Sequence, residues 1–297
     1  MQLRVLPGPT SGGFDNGRTS RFLDGILMMA SHLPTDGRAI LTEARVVKQQ
    51  QHVAAAGIGE KFFQKFSRFS PVWPSGTVRV PILMYHYVSA SPNPGDRIRK
   101  ILTVTPDAFA VQMAYLAQND YTPITLDTLY SIFYGQITPP AKPIVLTFDD
   151  GYADFYLIAY PILQKYNFCA VSFIITGAVG RGYYLSWDQM RAMRSSGLIH
   201  FEAHTVTHPD LTKLNPKSLL SELQESKRIL QEEIGQAVHF ISYPYGRTNS
   251  AVINAARVAG FVGGVAIWYG KASYPCMNMP RVQIDGPWTL STFARRI

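Results

Sequence analysis

Two motifs carry groups that bind metal ions and move protons. Asp149 and Asp150 are adjacent carboxylates after the apolar run 143–148. Because strand side chains alternate, one can bind a metal while the other faces a nucleophilic water. His204 and His208 have the i, i+4 spacing of a metal clamp, provided that the segment turns helically. Taken singly, these motifs also fit an Asp-Gly turn and two surface histidines.

A third motif supplies a rigid turn after another apolar run. It reads Ser242-Tyr243-Pro244-Tyr245-Gly246. The Pro and the Gly fix the backbone, so an amide N–H can point into a cleft and stabilise a developing oxyanion. On its own such a motif is more often a plain turn.

Alternating strands and helices must position these motifs. Seven short apolar runs predict strands, and the segments between them show helix periodicity with N-cap and Pro signals. The runs lie at about 80–86, 143–148, 170–175, 198–203, 238–242, 261–267 and 280–284. This order predicts an α/β fold with a mainly parallel sheet, which could curl into a barrel. The motifs fall at the carboxyl ends of strands, where α/β active sites form.

Together, and in this order, the motifs resemble the polysaccharide deacetylase family (NodB-homology domain, carbohydrate esterase family 4). The resemblance covers about residue 80 to the C-terminus and rests on residues 147–151, 204–208 and 243–246. It implies a distorted, incomplete (β/α) barrel. It also implies metal-dependent hydrolysis of N-acetyl groups on an N-acetylglucosamine-containing polysaccharide or oligosaccharide, with release of acetate.

The resemblance implies a role for each matching residue. Asp149 corresponds to the catalytic base, and the backbone N–H of Tyr245 to the oxyanion donor. Asp150, His204 and His208 correspond to the metal-binding triad. Zn²⁺ is the default metal, and Co²⁺, Ni²⁺ and Fe²⁺ suit the same ligands.

Two positions depart from the family pattern. Many members carry Arg where this chain has Ser242, and many carry a late general-acid His, whereas this chain has no His after Gly260. His86 lies in a Tyr-His motif that resembles the poly-N-acetylglucosamine deacetylase subgroup, which implies the general acid. Arg281 resembles that subgroup's Pro-Arg element and is the candidate for a contact to Asp149. The alternatives are a core His and a surface Arg.

Other functions stay open on the same scaffold. The metal site would also serve another amide or ester hydrolase, acting on an O-acetyl sugar or a small amide. Ser242 is compatible with an inactive carbohydrate-binding homologue. Peptidoglycan, poly-N-acetylglucosamine, chitin oligomers and a lipid-linked sugar all fit the motifs. Seven aromatic residues are candidates for stacking on sugars, although core positions are commoner: Tyr152, Tyr183, Tyr184, Trp187, Trp268, Tyr269 and Trp288.

Residues 1–77 are expected to be an extension or linker before a catalytic domain at 78–297, with one candidate helix from about Ala39 to Ala56. Residues 1–79 carry a net charge of +5 out of the total of +8. This basic segment is a candidate for peripheral contact with a surface. Because there is no dense Lys/Arg run and no nucleic-acid motif, nucleic acid is not an expected partner.

The sequence predicts no membrane-spanning helix, and its N-terminus lacks the apolar core of a signal peptide. The family resemblance nevertheless implies action outside the cytoplasm or at the cell envelope. Cys169 lies in an apolar run, which predicts a buried thiol, and Cys276 lies in a loop. Two cysteines so placed do not indicate a disulfide framework.

Overall fold

A computed structural model describes residues 78–90 and 96–297 of the chain, all within one compact unit. The extension predicted at residues 1–77, with its candidate helix at about 39–56, lies outside the described residues. The predicted domain boundary therefore stays a prediction. In the described ranges, no helix is long and apolar enough to cross a bilayer.

The described residues form a series of strands joined by helices. The strands are β1 (Val80–Tyr85), β2 (Tyr87–Val88), β3 (Thr103–Val104), β4 (Thr122–Pro123), β5 (Pro143–Phe148), β6 (Ala170–Ile174), β7 (Ile199–Ala203), β8 (Phe240–Ser242), β9 (Gly263–Tyr269), β10 (Lys271–Ala272) and β11 (Met279–Gln283). The helices are α1 (Arg97–Leu102), α2 (Pro106–Gln118), α3 (Leu126–Phe133), α4 (Tyr160–Lys165, preceded by a π-helical turn at Phe155–Ala159), α5 (Trp187–Ser195), α6 (Pro216–Ile234), α7 (Ser250–Val258) and α8 (Leu290–Arg296).

Seven parallel strands close into a barrel. The ring runs β1, β5, β6, β7, β8, β9 and β11, and β11 pairs with β1 to complete it. These strands correspond to the seven apolar runs of the sequence, so the predicted α/β barrel is confirmed. With seven strands instead of the eight of a complete (β/α) barrel, it is incomplete in the expected sense.

Burial on both faces explains why the strands read as continuous apolar runs. All six residues of β1 are buried, as are five of the six residues of β5, which is typical of parallel strands covered by helices. Side-chain caps fix where the helices begin. Ser186 and Gln189 form a capping box at α5.

Helix α3, which the sequence analysis missed, closes the amino-terminal end of the barrel. Its apolar side chains belong to the same cluster as Phe173 and Phe240 from β6 and β8. Tyr130 packs edge-on against Phe240, with ring centroids 4.9 Å apart. Its hydroxyl donates to the Val262 carbonyl, which precedes β9. The polar motifs that follow the strands therefore lie at the opposite end.

A buried carboxylate reinforces the barrel between β7 and β8, which pair at Ala203 and Ile241. Glu202 Oε2 accepts the backbone N–H groups of His239 at 2.8 Å and Phe240 at 2.7 Å. Burial raises the pKa of Glu202 well above its usual value. The side chain thus satisfies two amides at the start of β8.

Replacing Glu202 by Ala leaves these two amides without an acceptor, and we expect a loss of about 3 kcal/mol in the free energy of unfolding. Urea unfolding followed by circular dichroism measures this loss as a lower midpoint concentration of urea, with an unchanged dependence of the unfolding free energy on urea concentration. Glu202→Gln keeps a side-chain oxygen and is the matched control, with a loss below about 1 kcal/mol. Equal midpoints for Glu202→Ala and the wild type would contradict this role.

Candidate active site

The polar motifs meet at the carboxyl ends of the barrel strands. The structure brings together the side chains predicted from the sequence, each at the end of a strand, in the turn that follows it, or within β11: His86 (after β1), Asp149 and Asp150 (after β5), His204 and His208 (after β7), Tyr245 (after β8) and Arg281 (within β11). Parallel strands end at one edge of a barrel, which explains why residues so distant in sequence converge.

Asp149 forms a buried ion pair with Arg281. The guanidinium donates to both carboxylate oxygens, at 2.8 and 2.7 Å, and both residues are almost completely buried. The remaining N–H groups of Arg281 donate to Thr147 Oγ1, Ser242 Oγ and the Ala266 carbonyl. All five guanidinium N–H groups thus have a partner.

Ser242, the departure from the family pattern, belongs to this network. Its hydroxyl donates to Asp149 Oδ2 at 3.1 Å and accepts from Arg281 Nη2 at 3.0 Å. Burial favours a raised pKa of Asp149, but the Arg281 guanidinium outweighs it and holds the pKa of that carboxyl well below its usual range. Asp149 is therefore ionised at neutral pH.

Asp150, His204 and His208 form a compact set of candidate metal ligands, since their potential ligand atoms all lie within 4.8 Å of one another. Asp150 Oδ1 lies 3.2 Å from His204 Nε2 and 3.6 Å from His208 Nε2. Asp150 adopts a positive φ of 75°, followed by Gly151 at 80°. This left-handed turn separates the Asp150 carboxylate from that of Asp149.

The donor set fits a divalent cation. His204 Nδ1 lies 2.7 Å from the Ser242 carbonyl, which can only accept, so this nitrogen carries the proton and Nε2 presents a lone pair. Burial, and then the neighbouring His204, lower the pKa of His208 to about 4. His208 is therefore in the neutral form that binds metals at pH 7.

The segment between the two histidines is not helical, although the predicted metal clamp at i and i+4 assumed a helical turn. Thr205 and His208 have positive φ values of 66° and 60°, in an irregular loop. The Thr205 hydroxyl accepts the His208 backbone N–H at 3.0 Å. Despite the different backbone, the two imidazoles lie together, with ring centroids 4.8 Å apart.

His86 lies beside the two carboxylates. Burial lowers its pKa, whereas the charges of Asp149 and Asp150 favour the protonated ring. Its Nδ1 is buried and has no partner among the described residues. The strand after it is fixed by Asp154, whose carboxylate accepts the Val88 N–H at 3.2 Å.

Tyr245 occupies the turn after β8 with a positive φ of 57°. Its ring packs against His208, with centroids 4.7 Å apart. Gly246 follows with a φ of 63°, and a Cβ at that position would collide with Ile267 of β9. Within the described residues, no hydrogen bond uses the Tyr245 backbone N–H as donor, so it can serve a ligand.

Comparison with known proteins agrees with this geometry. A sequence profile described as polysaccharide deacetylase matches residues 136–264. The YxkH protein of Bacillus subtilis (strain 168), named for this family, is 35% identical over 195 residues, which are 66% of this chain and 67% of that protein. The chain belongs to the polysaccharide deacetylase family. It is thus a carbohydrate deacetylase by family, as the motifs predicted.

Relatives with more specific names are also similar to this deacetylase. The poly-beta-1,6-N-acetyl-D-glucosamine N-deacetylase of Staphylococcus aureus (strain MRSA252) is 31% identical over 203 residues, 63% of this chain and 69% of that protein. The enzyme of that name in Escherichia coli (strain K12) is longer, and this chain spans 36% of it. The structure of Streptococcus pyogenes deacetylase PplD in complex with acetate is 31% identical, with a TM-score of 0.69, covering 76% of this chain and 99% of that one.

A cleft of about 360 Å³ opens beside the ligand set of this deacetylase. Tyr152 and Tyr184 form one wall with stacked rings 5.1 Å apart, and the ring of Tyr87 also stacks on Tyr152, with centroids 4.0 Å apart. Of the other aromatic residues considered for sugar stacking, Trp187 and Trp288 pack against the core, whereas three are exposed: Tyr183, Trp268 and Tyr269.

The two cysteines lie outside this cleft and are free. Cys169 is partly buried, and its thiol donates to the Pro123 carbonyl. Burial raises the pKa of this thiol to about 12.

Glu222 of α6 holds the histidine loop, and the sequence analysis did not single it out. Its Oε2 accepts the backbone N–H groups of Val206 at 2.8 Å and Thr207 at 2.9 Å. Its Oε1 accepts from the Thr207 hydroxyl at 2.6 Å. A polar residue on a helix gives no such signal in sequence, because its partners lie 15 and 16 residues away.

We expect Glu222→Ala to lower the affinity for Zn²⁺ by about 10- to 100-fold, since the loop that orients both histidines loses its anchor. Calorimetric titration of the metal-free protein measures this. Glu225→Ala is the matched control, because Glu225 lies one turn further along α6 and, among the described residues, pairs with Arg228 alone on the surface. A Glu222→Ala protein that binds Zn²⁺ like Glu225→Ala would show that the loop is held by other contacts.

Proposed function

We propose that the chain hydrolyses the N-acetyl groups of an N-acetylglucosamine-containing polysaccharide or oligosaccharide and releases acetate. One observation carries the proposal: a carboxylate held ionised by Arg281 lies directly before a carboxylate that meets two histidines. The first carboxylate, Asp149, suits a general base, and the second, Asp150, suits a metal ligand. The names of the relatives above support an N-acetylglucosamine polymer as the substrate.

Asp150, His204 and His208 would hold the metal, with Zn²⁺ the first choice for an Asp-His-His set and Co²⁺, Ni²⁺ or Fe²⁺ also suited to it. When bound, the cation would polarise the acetyl carbonyl and lower the pKa of a water molecule. Asp149 is kept out of this set by its two bonds to Arg281. With Ser242 also donating to Oδ2, one lone pair of Oδ1 is left to accept a proton.

The side chains divide the proton transfers between them. Asp149 takes the proton of the water that attacks the acetyl carbon, which its ionised state at neutral pH allows. His86 in its protonated form donates to the sugar nitrogen as the carbon–nitrogen bond breaks. Acetamide and water become acetate and an amine.

The backbone N–H of Tyr245 stabilises the oxyanion that develops on the acetyl oxygen. The turn fixes it before the substrate arrives, because the positive φ of Tyr245 and the contact of Gly246 with Ile267 leave the backbone little freedom. A donor that needs no reorganisation is the most effective kind. Arg281 acts through Asp149 and is a positioning residue.

The site of action stays a prediction. An N-acetylated glycan as partner fits a position outside the cytoplasm or at the cell envelope. The suggested surface contact of the basic N-terminal segment falls on residues outside the described ranges.

Acetate release from N-acetylglucosamine oligomers tests the reaction. We expect release by the purified chain, its loss with chelator and its return with Zn²⁺ or Co²⁺. Asp149→Asn and His86→Asn are each expected to lower kcat by roughly 10²- to 10⁴-fold. His200→Asn is the matched control, because His200 lies near the start of β7, away from the cleft. Metal binding without any acetate would refute the deacetylase proposal and favour an inactive binding homologue.

The pH profile tests the ion pair. Asp149 acts only when ionised, and Arg281 holds its pKa below the usual range against the effect of burial. Weakening the pair by Arg281→Lys therefore raises this pKa, so activity is lost at a higher pH on the acid side. We expect the acid limb of kcat/KM to move up by roughly one pH unit.

Arg191→Lys is the control for this profile, because Arg191 pairs with Asp188 and Glu233 on the surface. Circular dichroism checks that both variants are folded. An acid limb that stays in place in folded Arg281→Lys would show that Arg281 does not set the ionisation of Asp149.

A further inference from the structure

We propose that Arg181 binds an anionic group of the glycan, so that the substrate carries a phosphate or a carboxylate close to the acetamide. The inference rests on the proposed function and narrows its substrate class. Both anions offer the same chemistry to a guanidinium, namely two oxygens that accept paired hydrogen bonds.

Arg181 lies on the wall of the catalytic cleft. It lines the same cavity as the metal ligands Asp150 and His208 and the stacked Tyr152 and Tyr184. Among the described residues that line the cavity, it is the only Lys or Arg. A substrate whose acetamide reaches the ligand set therefore enters the cavity that Arg181 lines.

The loop that carries Arg181 is fixed to the turn that carries the metal ligand Asp150. The Leu185 N–H donates to the Gly151 carbonyl at 2.9 Å, and the Ala153 N–H donates to the Tyr183 carbonyl at 2.7 Å. Gly180, just before Arg181, donates to the Leu185 carbonyl at 2.8 Å. The backbone beneath the guanidinium is thus positioned relative to the reacting group.

The guanidinium itself has no partner in the part of the chain that the structure describes. No ion pair, side-chain hydrogen bond or aromatic ring engages it, whereas the guanidinium groups of four other arginines pair with carboxylates: Arg191, Arg228, Arg247 and Arg281. Arg181 is exposed, so its guanidinium is available to a substrate that enters the cleft.

The charge balance of the cleft favours an anion. The carboxylate of Asp149 is neutralised by Arg281, and Asp150 is the only acidic residue among the described residues of the lining. With a divalent cation on Asp150, the lining is positive. The reaction turns a neutral acetamide into an ammonium group, so a polymer with several free amines would be repelled by Arg181.

Three disaccharides of similar size test the proposal. They are di-N-acetylchitobiose, the same disaccharide with a phosphomonoester, and N-acetylglucosamine linked to N-acetylmuramic acid, which has a carboxylate. We expect a higher kcat/KM for at least one anionic disaccharide than for the neutral one. Arg181→Gln should lower the ratio of kcat/KM for the anionic disaccharide to kcat/KM for the neutral one by about tenfold, as expected for the loss of a charge-assisted pair. If kcat/KM is higher for only one of the two anionic disaccharides, its charged group, phosphate or carboxylate, is the anion that Arg181 binds.

Arg257→Gln is the matched control, since it removes the same charge from the surface of α7, and its ratio should equal that of the wild type. The preference for the anionic sugar should also weaken with added NaCl in the wild type and much less in Arg181→Gln. A ratio that is the same in Arg181→Gln and wild type, or a wild type without preference, would overturn the proposal.

Calorimetric titration of Asp149→Asn with the same sugars separates this inference from the proposed function. Tighter binding of an anionic sugar that disappears in Asp149→Asn/Arg181→Gln supports the anion site even if no acetate is released. Equal binding of the charged and neutral sugars overturns it, even if the deacetylase reaction is demonstrated with di-N-acetylchitobiose.

Discussion

The buried pair of Asp149 and Arg281 is the interaction on which the rest of the site depends. Removing two charges from water costs several kcal/mol per ion, and such a pair persists only when every remaining donor is satisfied. Here the satisfaction is complete, and the partners come from β5, β8 and β9, while Arg281 itself lies in β11. The buried ion pair therefore requires the barrel to be assembled. The pairing of β11 with β9 shifts register between Met279 and Arg281, next to the Ala266 carbonyl that accepts from Arg281.

Backbone strain is concentrated at this site. Six non-glycine residues in the described ranges have positive φ, and four of them lie in the motifs: Asp150, Thr205, His208 and Tyr245. Such conformations cost of order 1–3 kcal/mol each and persist only when the surroundings impose them. Here Glu222 and the Thr205 hydroxyl hold the histidine loop, and Ile267 fits against Gly246 beside Tyr245. The strain is thus compensated by contacts that have no catalytic role of their own.

Sequence patterns predicted the elements well where burial is uniform. All seven barrel strands appeared as apolar runs, and the bounds of Pro216–Ile234 follow from a Pro at one end and a Gly at the other. Helix α3 was missed although its sequence carries a Thr125 N-cap and apolar residues at helical spacing. The histidine loop is not helical, and Glu222 acts on residues in another element. These two features depend on tertiary contacts, which local periodicity does not contain.

The two departures from the family pattern have a shared structural explanation. The matched profile spans residues 136–264, so His86 and Arg281 both lie outside it. They come from β1 and β11, which pair through Leu83 and Val282 to close the barrel. A small residue at 242 leaves room for Arg281 to reach Asp149 from β11, and its hydroxyl then bonds to both charges. Likewise, His86 approaches Asp149 and Asp150 from the end of β1. The seam that completes the ring therefore supplies both the arginine that pairs with Asp149 and the histidine proposed as the proton donor.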